Sequence, residues 1–313
     1  MTLKILVTGG SGLIGSSIKE LINKDNIFVF LSSKETDLRD SIACEKLFSD
    51  GNFDIVIHLA SVVGGLYFNT NNNYSILVDN IKINTNILEC CKKYNIKRLI
   101  NILSTCIFGN DLKYPLTSNQ MYDKPPDSSN EGYSTSKRLL ATGSDLLTKC
   151  SDIKIVNLIP TNLIGKNDNF NLHNSHVIPG LIHKCFLSKK NNKSLIIKGL
   201  GFSKRQFVFS EDLSKIILYF VDCKLDKQFN QLIVGPPVKD ELTIKDLVNK
   251  IIKEFDFNGE IVFDSNFPEG QLKKTVSDDE LLEYIPHFKF TSLDVALKQT
   301  IDYFIDNYDT VRK

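Results

Sequence analysis

The chain has 313 residues, of which 42% are hydrophobic and 24% are charged, as in ordinary soluble globular proteins. This composition excludes disordered, collagen-like and low-complexity proteins, and the length allows two domains. Lys and Arg number 38 against 37 for Asp and Glu, so the net charge of +1 gives no electrostatic reason to expect nucleic acid or an anionic membrane as a partner.

The seven cysteines argue against a disulfide framework or a zinc cluster, because their number is odd and no CxxC pair occurs. The N-terminus lacks the charged start, long apolar region and cleavage site of a signal peptide. No stretch approaches the about 18 consecutive apolar residues of a transmembrane helix. We therefore predict a cytoplasmic protein without a metal or a membrane partner.

Short apolar runs alternate with segments of helical spacing over the first half of the chain. In order, these are strand 3–8, helix 13–23, strand 26–31, helix 37–50, strand 53–59, helix 74–94, strand 98–103, helix 133–149 and strand 153–158. The alternation indicates successive βαβ units. It predicts an α/β fold with a Rossmann-type, doubly wound parallel sheet.

The pattern changes after Pro160, where a polar, Asn-rich loop occupies residues 167–175. Short strands and helices then mix, in the order helix 177–187, strands 194–198, 207–209 and 231–234, helix 243–255, strand 260–263 and helix 292–308. We predict a first domain over residues 1–165 and a smaller, C-terminal α+β domain over 166–313. The segment from about 206 to 235 is expected to return to the first domain.

A glycine-rich segment lies between the first predicted strand and the first predicted helix. Gly9, Gly12 and Gly15 satisfy GxxGxxG, and Gly10 with the last two satisfies GxGxxG. Such glycines allow a tight turn, close approach of a pyrophosphate to the backbone, and close packing of helix on strand. The helix N-terminus adds free N–H groups and the positive end of a dipole. We predict a dinucleotide site in the first domain rather than a purely structural turn.

The end of the second predicted strand lacks the acidic residue that NAD-specific sites usually carry there. Its sequence is Leu31-Ser-Ser-Lys34, whose hydroxyls and ammonium suit a 2′-phosphate. We therefore predict NADP(H), with Ser33 and Lys34 near the 2′-phosphate and Asp37 facing the adenine. The alternative is that Lys34 is only a solvated loop lysine.

Tyr133 and Lys137 are four residues apart and share one face of a predicted helix. A nearby ammonium favours the phenolate and is expected to lower the pKa of the phenol from about 10 towards neutrality. Lys137 is also placed to hold a nicotinamide ribose. Ser104 follows the fourth predicted strand, where ligands bind in open α/β sheets, and its hydroxyl is a donor for a substrate carbonyl.

Together with His58-Leu-Ala-Ser61, these motifs resemble the extended short-chain dehydrogenase/reductase family, which acts mostly on nucleotide-diphosphate sugars. Five further segments make the resemblance more specific. They are Ser104-Thr-Cys-Ile-Phe108, Pro160-Thr-Asn-Leu-Ile-Gly165, Asp168-Asn-Phe170, His176-Val-Ile-Pro-Gly180 and Arg205-Gln-Phe207. It implies conversion of GDP-4-keto-6-deoxy-D-mannose to GDP-L-fucose, by 3,5-epimerisation and then NADPH-dependent reduction of the 4-keto group.

The resemblance also implies roles for single residues. Cys106 is the base that removes a proton, His176 is the acid on the opposite side, and Tyr133 protonates the alkoxide left by hydride transfer. Without the resemblance, a cysteine at a strand end is most often a small buried hydrophobe. His173 and His183 are nearby rivals of His176, and His183 is expected to face solvent or to pack away from the cofactor.

The resemblance further implies residues that contact the two ligands. For the cofactor these are Gly10, Ser11, Leu13, Ile14, Leu59, Ala60, Pro160, Thr161, Asn162, Leu163 and His176. For the GDP-sugar these are Ser104, Asn162, Lys184, Lys198, Arg205 and Glu269. Lys198 stands where family members often have an aromatic residue. Glu269 stands where they often have Asp.

Two other interpretations remain open at this point. One is another nucleotide-sugar epimerase or a dehydratase of the same fold, although a dehydratase is expected to carry an Asp-Glu pair where this chain has Thr105-Cys106. The other is a non-enzymatic NADP-binding protein, against which the intact Ser104, Tyr133 and Lys137 argue. The helices predicted at 74–94 and 133–149 resemble those of a four-helix dimer interface, so a homodimer is expected.

Overall fold

The computed structural model describes residues 2–22, 25–267 and 270–313. Across these ranges the strands are β1 (Lys4–Thr8), β2 (Ile27–Leu31), β3 (Ile55–His58), β4 (Arg98–Ile102), β5 (Lys154–Pro160), β6 (Asn162–Ile164), β7 (Leu195–Lys198), β8 (Lys204–Arg205), β9 (Phe207–Phe209), β10 (Phe229–Val234), β11 (Leu242–Thr243) and β12 (Ile261–Asp264). The α-helices are α1 (Leu13–Leu21), α2 (Ser41–Gly51), α3 (Leu66–Lys93), α4 (Glu131–Thr148), α5 (Val177–Lys190), α6 (Ser210–Asp222), α7 (Ile244–Glu254), α8 (Asp279–Tyr284) and α9 (Leu293–Asp306).

Six strands form the main sheet in the spatial order β10-β5-β4-β3-β1-β2, and every neighbouring pair is parallel. The chain starts at β1, adds β2 on one side, and then crosses over to add β3 on the other side. The direction of winding therefore reverses at β1. In open α/β sheets the crevice at such a reversal, outside the carboxyl ends of the strands, binds ligands. The predicted doubly wound parallel sheet is confirmed.

Alternate residues of β1 face two different layers of helices. Ile5 and Val7 belong to a core formed with α1 and α6, whereas Leu6 belongs to the opposite core formed with α2, α3 and α4. All three side chains are fully buried. A strand that is covered on both faces needs a continuous apolar run rather than an alternating one, which explains the run at residues 3–8.

The chain beyond residue 165 divides between the main sheet and a second core. The second core draws mainly on α5, α7 and α9, with side chains from β6, β7 and β9. Its short strands pair as β6 with β9 and β7 with β12, while β8 pairs with β11. Helix α6 packs on α1, and β10 pairs with β5 at the edge of the main sheet.

Helix α3 is longer than the sequence predicted, since it begins at Leu66 rather than at residue 74. Its first turns are rich in asparagine, which has a low helix propensity and hides the helix from a periodicity argument. The backbone of Asn72 departs from helical geometry, with φ −125°. Tertiary contacts stabilise this part, because the Asn73 side chain accepts the N–H of Gly132 at 2.9 Å.

Among the other elements that differ from the sequence-based expectation are α2 and α6. Helix α2 begins at Ser41 instead of residue 37, because the Asp40 carboxylate accepts backbone N–H groups and caps the helix there. Helix α6 was not predicted, although its buried Leu213, Ile216 and Ile217 have helical spacing. The same hydrophobic spacing that located α1 was therefore available for α6.

No helix in the described parts of the chain is long and apolar enough to cross a membrane. The same residues contain no group of three or more His, Cys, Asp or Glu side chains that could hold a metal ion. All seven cysteines are free thiols.

Candidate functional site

A cavity of about 1210 Å³ opens at the carboxyl ends of the main-sheet strands. Each of four strands is followed directly by a residue that lines the cavity: Gly9 after β1, Leu59 after β3, Leu103 after β4 and Thr161 after β5. Gly9 is also the first residue of the glycine loop. From there the cavity extends to the second core, where Phe207 lines it. Small-molecule pockets usually measure about 300–1,000 Å³, so this cavity exceeds the usual range for one ligand.

Most of the side chains and loops predicted from the sequence lie around this one cavity. They are Gly9, Ser11, Gly12, Leu13, Ile14, Gly15, Ser33, Asp37, Leu59, Ala60, Ser104, Cys106, Tyr133, Lys137, Pro160, Thr161, Asn162, Leu163, His176, Lys184, Lys198 and Arg205. Gly10 is buried and Lys34 is exposed, and neither belongs to the lining. Glu269 lies outside the described residues.

The glycine loop has the geometry that a dinucleotide requires. Gly9 has φ +66°, in the left-handed region that favours glycine, and a Cβ there would lie 2.9 Å from the backbone N of Ala60. A Cβ on Gly15 would lie 2.6 Å from Cα of Gly10. Gly12 caps α1 without a side-chain hydrogen bond, and the first turn of α1 holds no acid. The N-terminal N–H groups of α1 are therefore left for an anion, and a pyrophosphate fits this loop.

At the end of β2 the cavity is lined by a guanidinium that the sequence analysis did not name. Arg39 donates from Nη2 to Asp37 at 2.8 Å and from Nη1 to Asp79 at 3.1 Å. These hydrogen bonds from Arg39 lower the pKa of Asp37 to about 2. Arg39 is five residues beyond Lys34, which was predicted instead, and residues 36–39 return to the cavity. Distance from β2 along the sequence does not reveal that return.

Lys137 is held between a strand end and an aromatic ring. Its Nζ donates to the carbonyl of Ile102, the last residue of β4, at 2.8 Å. The same Nζ lies 5.6 Å from the centroid of the Tyr133 ring. Lys137 is only 2% exposed, and burial lowers its pKa to about 8. The i, i+4 spacing on α4 thus brings ammonium and phenol together, as the sequence predicted.

The phenol of Tyr133 behaves differently from the expectation. Burial raises its pKa, the nearby Cys106 raises it further, and a hydrogen bond with Ser61 opposes the rise. The sequence-based expectation that Lys137 lowers the pKa of Tyr133 is therefore wrong, because burial has the largest effect on this pKa and raises it. A phenol that stays protonated at neutral pH is a proton donor rather than a base.

Ser104 and Cys106 are placed by one tight turn after β4. Ser104 caps the 3₁₀ turn Thr105–Ile107, and its Oγ accepts the N–H of Cys106 at 3.2 Å. The Cys106 Sγ accepts a hydrogen bond from Nζ of Lys274 at 3.3 Å. Burial alone would raise the pKa of the thiol, but Lys274, Ser104 and Arg205 together lower it below its ordinary value. Lys274 was not predicted from the sequence, because it is 168 positions from Cys106.

His176 stands at the cavity as the N-cap residue of α5 and is exposed there. Asp168 lines the cavity too; burial raises the pKa of its carboxyl, and the charge of His176 opposes the rise. The loop between Asp168 and His176 is hydrogen-bonded to another part of the chain, since the N–H of Gly65 donates to the carbonyl of Asn174 at 2.9 Å. His173 also lines the cavity, so the loop presents two imidazoles.

Two other histidines are buried and structural. His183 is 6% exposed, and its Nδ1 lies 2.8 Å from the carbonyl oxygen of Phe170, so the prediction of a solvent-facing side chain is wrong and that of packing is right. His58 bridges Thr8 Oγ1 at 2.9 Å and Asn84 Oδ1 at 3.1 Å. Burial lowers the pKa of His58 to about 3, so the imidazole is neutral.

The cations that line the part of the cavity beside the second core include Lys184, Lys198 and Arg205. Burial lowers the pKa of Lys184, and the neighbouring Lys198 lowers it further. The Lys198 Nζ lies 5.2 Å from the ring centroid of Tyr67 and 4.7 Å from that of Phe267. Aromatic surface is thus present beside position 198, although the residue itself is a lysine.

Comparisons with known proteins agree with this geometry. A model of the NAD dependent epimerase/dehydratase family matches residues 5–235. A GDP-L-fucose synthase of Dictyostelium discoideum is 38% identical over 313 residues, which is 99% of this chain and 97% of the relative. A probable GDP-L-fucose synthase of Drosophila melanogaster is 36% identical and covers 99% of each chain.

Solved structures give the same result. A crystal structure of a GDP-L-fucose synthetase from Naegleria fowleri bound to NADP matches with a TM-score of 0.91 at 36% identity. The match covers 100% of this chain and 97% of that one. Sequence and fold together therefore show that the chain belongs to the NAD dependent epimerase/dehydratase family.

Proposed function

We propose that this chain converts GDP-4-keto-6-deoxy-D-mannose to GDP-L-fucose, by inverting C3 and C5 and then reducing the 4-keto group with NADPH. The observation that carries the proposal is one cavity lined by the Cys106 thiol, the His176 imidazole and the buried pair Tyr133 and Lys137. Relatives named for this activity are 36% and 38% identical over nearly the whole chain.

The epimerisation needs a base and an acid that reach opposite faces of the sugar. The 4-keto group makes the C3 and C5 protons acidic, because it stabilises the enolate. Cys106, as a thiolate, removes a proton, and His176, as an imidazolium, returns one to the other face. Each inversion leaves a thiol and a neutral imidazole, so both must exchange a proton with solvent before the next. The exposed position of His176 at the cavity favours that exchange.

The reduction uses a second set of side chains, those of Ser104, Tyr133 and Lys137. NADPH supplies the hydride that goes to C4. Ser104 donates a hydrogen bond to the 4-keto oxygen, and Tyr133 gives its phenolic proton to that oxygen as charge develops. Lys137 holds the nicotinamide ribose and lies beside the phenol.

The two ligands use different parts of the chain. We assign the dinucleotide to residues 1–165 with the returning segment from about 206 to 235, and the GDP-sugar mainly to 166–313. The carboxyl ends of the main-sheet strands and the uncapped N-terminus of α1 support the first assignment. The cations beside the second core support the second assignment, since Lys184 and Arg205 suit a diphosphate. Lys198 and Glu269 are assigned to the guanosine.

The cation that contacts the 2′-phosphate can be identified by comparing two variants. We expect Arg39→Ala to weaken NADPH binding about tenfold more than Lys34→Ala, because only Arg39 lines the cavity and a guanidinium binds phosphate through paired donors. Binding of NADH should change little in either variant. Dissociation constants from nicotinamide fluorescence provide the measurement. A larger loss in Lys34→Ala would instead assign the contact to the residue that the sequence favoured.

The proposed activity is tested by mixing the purified protein with NADPH and GDP-4-keto-6-deoxy-D-mannose. The expected result is loss of nicotinamide absorbance and formation of GDP-L-fucose, identified by mass and NMR. GDP-mannose is the control, because it lacks the 4-keto group and is the substrate type of a 4,6-dehydratase. The absence of NADPH oxidation with the keto sugar, or conversion of GDP-mannose, would refute the proposal.

We further propose that the chain acts as a cytoplasmic homodimer. Helices α3 and α4 pack side by side and expose apolar side chains, with Tyr74 81% exposed and Leu146 56% exposed. The seven free thiols suit a reducing compartment. Light scattering should give a mass of about twice 35.4 kDa, and a monomer would contradict the assignment.

A further inference from the structure

An ammonium that was not predicted from the sequence contacts the thiol of Cys106. The Lys274 Nζ donates to the Cys106 Sγ at 3.3 Å, and both residues line the cavity. Cys106 follows β4, whereas Lys274 belongs to a segment between β12 and α8. The contact therefore exists only in the folded chain.

The segment that carries Lys274 is hydrogen-bonded to two other parts of the chain. We call residues 270–276 the strap. Nε2 of Gln271 donates to the carbonyl of Gly109 at 2.9 Å, just beyond the turn that holds Cys106. On the other side, the N–H of Lys204 donates to the carbonyl of Leu272 at 2.8 Å. The strap, which carries Lys274, is thus hydrogen-bonded both to Gly109, beyond the thiol turn, and to the strand that carries Arg205.

The charges around the thiol favour its ionised form. Burial opposes ionisation by raising the pKa of Cys106, but Lys274 has the largest opposite effect, followed by a hydrogen bond from Ser104. The charge of Arg205 contributes more weakly. Tyr133 also faces Cys106, but its own pKa is raised by burial, so it brings no negative charge at neutral pH.

The charge of Lys274 also acts on a carboxylate, that of Asp127. Asp127 lines the cavity and its pKa is lowered, although burial raises it, by hydrogen bonds from Ser129 and Asn110 and by the charge of Lys274. Its oxygens are occupied, since Oδ2 accepts from Asn110 at 2.9 Å and Oδ1 accepts from the Ser129 N–H at 3.0 Å. The hydrogen bond of the Lys274 Nζ goes to the Cys106 sulfur.

We propose that Lys274 is a positioning residue that forms an ion pair with the Cys106 thiolate and keeps it ready to remove the protons at C3 and C5, a step that rests on the proposed function. In that step the thiolate takes the carbon-bound proton and becomes a thiol, while the electron pair of the C–H bond enters the enolate. Lys274 neither gives nor takes a proton. It restores the ion pair when the thiol loses its proton to solvent.

The ion pair can be tested in the free protein without any substrate. We would alkylate the protein with iodoacetamide over a range of pH and quantify Cys106 by peptide mass spectrometry, with the exposed Cys150 as a reference in the same sample. For the wild type, the midpoint at Cys106 should lie below the about 8.5 of a free thiol. For Lys274→Met it should rise by about one pH unit, with a corresponding fall in rate at neutral pH.

Three further variants separate an electrostatic role from a structural one. Lys274→Arg keeps the charge and should keep the wild-type midpoint, whereas Lys274→Gln, which keeps a donor but no charge, should resemble Lys274→Met. Lys273→Met is the matched control, because Lys273 lies on the same strap but its Nζ is 4.7 Å from the Tyr114 ring centroid. An unchanged midpoint in Lys274→Met and Lys274→Gln, or an equal shift in Lys273→Met, would overturn the proposal.

A second measurement connects the ion pair to the reaction. Deuterium incorporation at C3 and C5 of the keto sugar should fall about tenfold in Lys274→Met at neutral pH and recover as the pH rises, while NADPH affinity is unchanged. If the wild type itself incorporates no deuterium, the proposed function fails, yet the alkylation profile still decides the ion pair. A rate that stays low at every pH would contradict the role of Lys274 in ionising Cys106.

Discussion

Replacing Cys106 with serine is expected to reduce deuterium incorporation at C3 and C5 of the keto sugar by about 10²–10⁴-fold, while NADPH still binds. The change swaps sulfur for oxygen in a turn whose backbone is held by the Ser104 cap, so the fold of the site should persist. A hydroxyl beside Lys274 does not ionise at neutral pH as a thiol does, and the base is therefore lost.

The same variant should keep the hydride step. GDP-L-fucose and NADP⁺ run that step in reverse, and oxidation at C4 needs no proton abstraction from C3 or C5. Cys106→Ser should therefore still reduce NADP⁺ with GDP-L-fucose, as measured by nicotinamide absorbance. Cys150→Ser, at an exposed thiol, is the control and should match the wild type in both assays. Deuterium incorporation at the wild-type rate in Cys106→Ser would remove Cys106 from the mechanism.

The sequence was sufficient for the parts of the fold that depend on local patterns. The buried strand at residues 3–8, the glycine loop and the helix that carries Tyr133 and Lys137 are all set by short spacings, and the structure contains each of them. The start of helix α3 was predicted too far along the chain, because its first asparagines are stabilised by tertiary hydrogen bonds such as that between Asn73 and Gly132. Local propensity cannot report such a contact.

The site was predictable where a motif lies on one element and not where two distant segments meet. Lys137 could be placed near Tyr133 because both lie on α4, but Lys274 reaches Cys106 from 168 residues away. Arg39 lines the cavity beyond a turn that follows β2, in which the N–H of Glu35 donates to the carbonyl of Ser32. The direction of the Tyr133 pKa shift was also wrong, since it depends on burial, which a sequence does not contain.

Replacing Tyr133 with phenylalanine is expected to reduce NADPH oxidation by about 10²–10⁴-fold, because the phenolic proton that neutralises the C4 alkoxide is lost. The substitution removes one oxygen from a side chain that is 7% exposed and leaves the ring, with Lys137 beside it. NADPH binding should therefore persist. Deuterium incorporation at C3 and C5 should also persist, since Cys106 and His176 are unchanged.

The control for this variant is Tyr122→Phe, which also removes one phenolic oxygen. Tyr122 is exposed, and its hydroxyl is hydrogen-bonded to that of Thr142. Its NADPH oxidation should equal that of the wild type. The two active-site variants should then show opposite defects: Cys106→Ser loses proton exchange but keeps C4 oxidation of GDP-L-fucose, and Tyr133→Phe loses the C4 step but keeps exchange. If Tyr133→Phe lost exchange as well, the phenol would be required for enolisation, and the separation of roles between the two residues would be wrong.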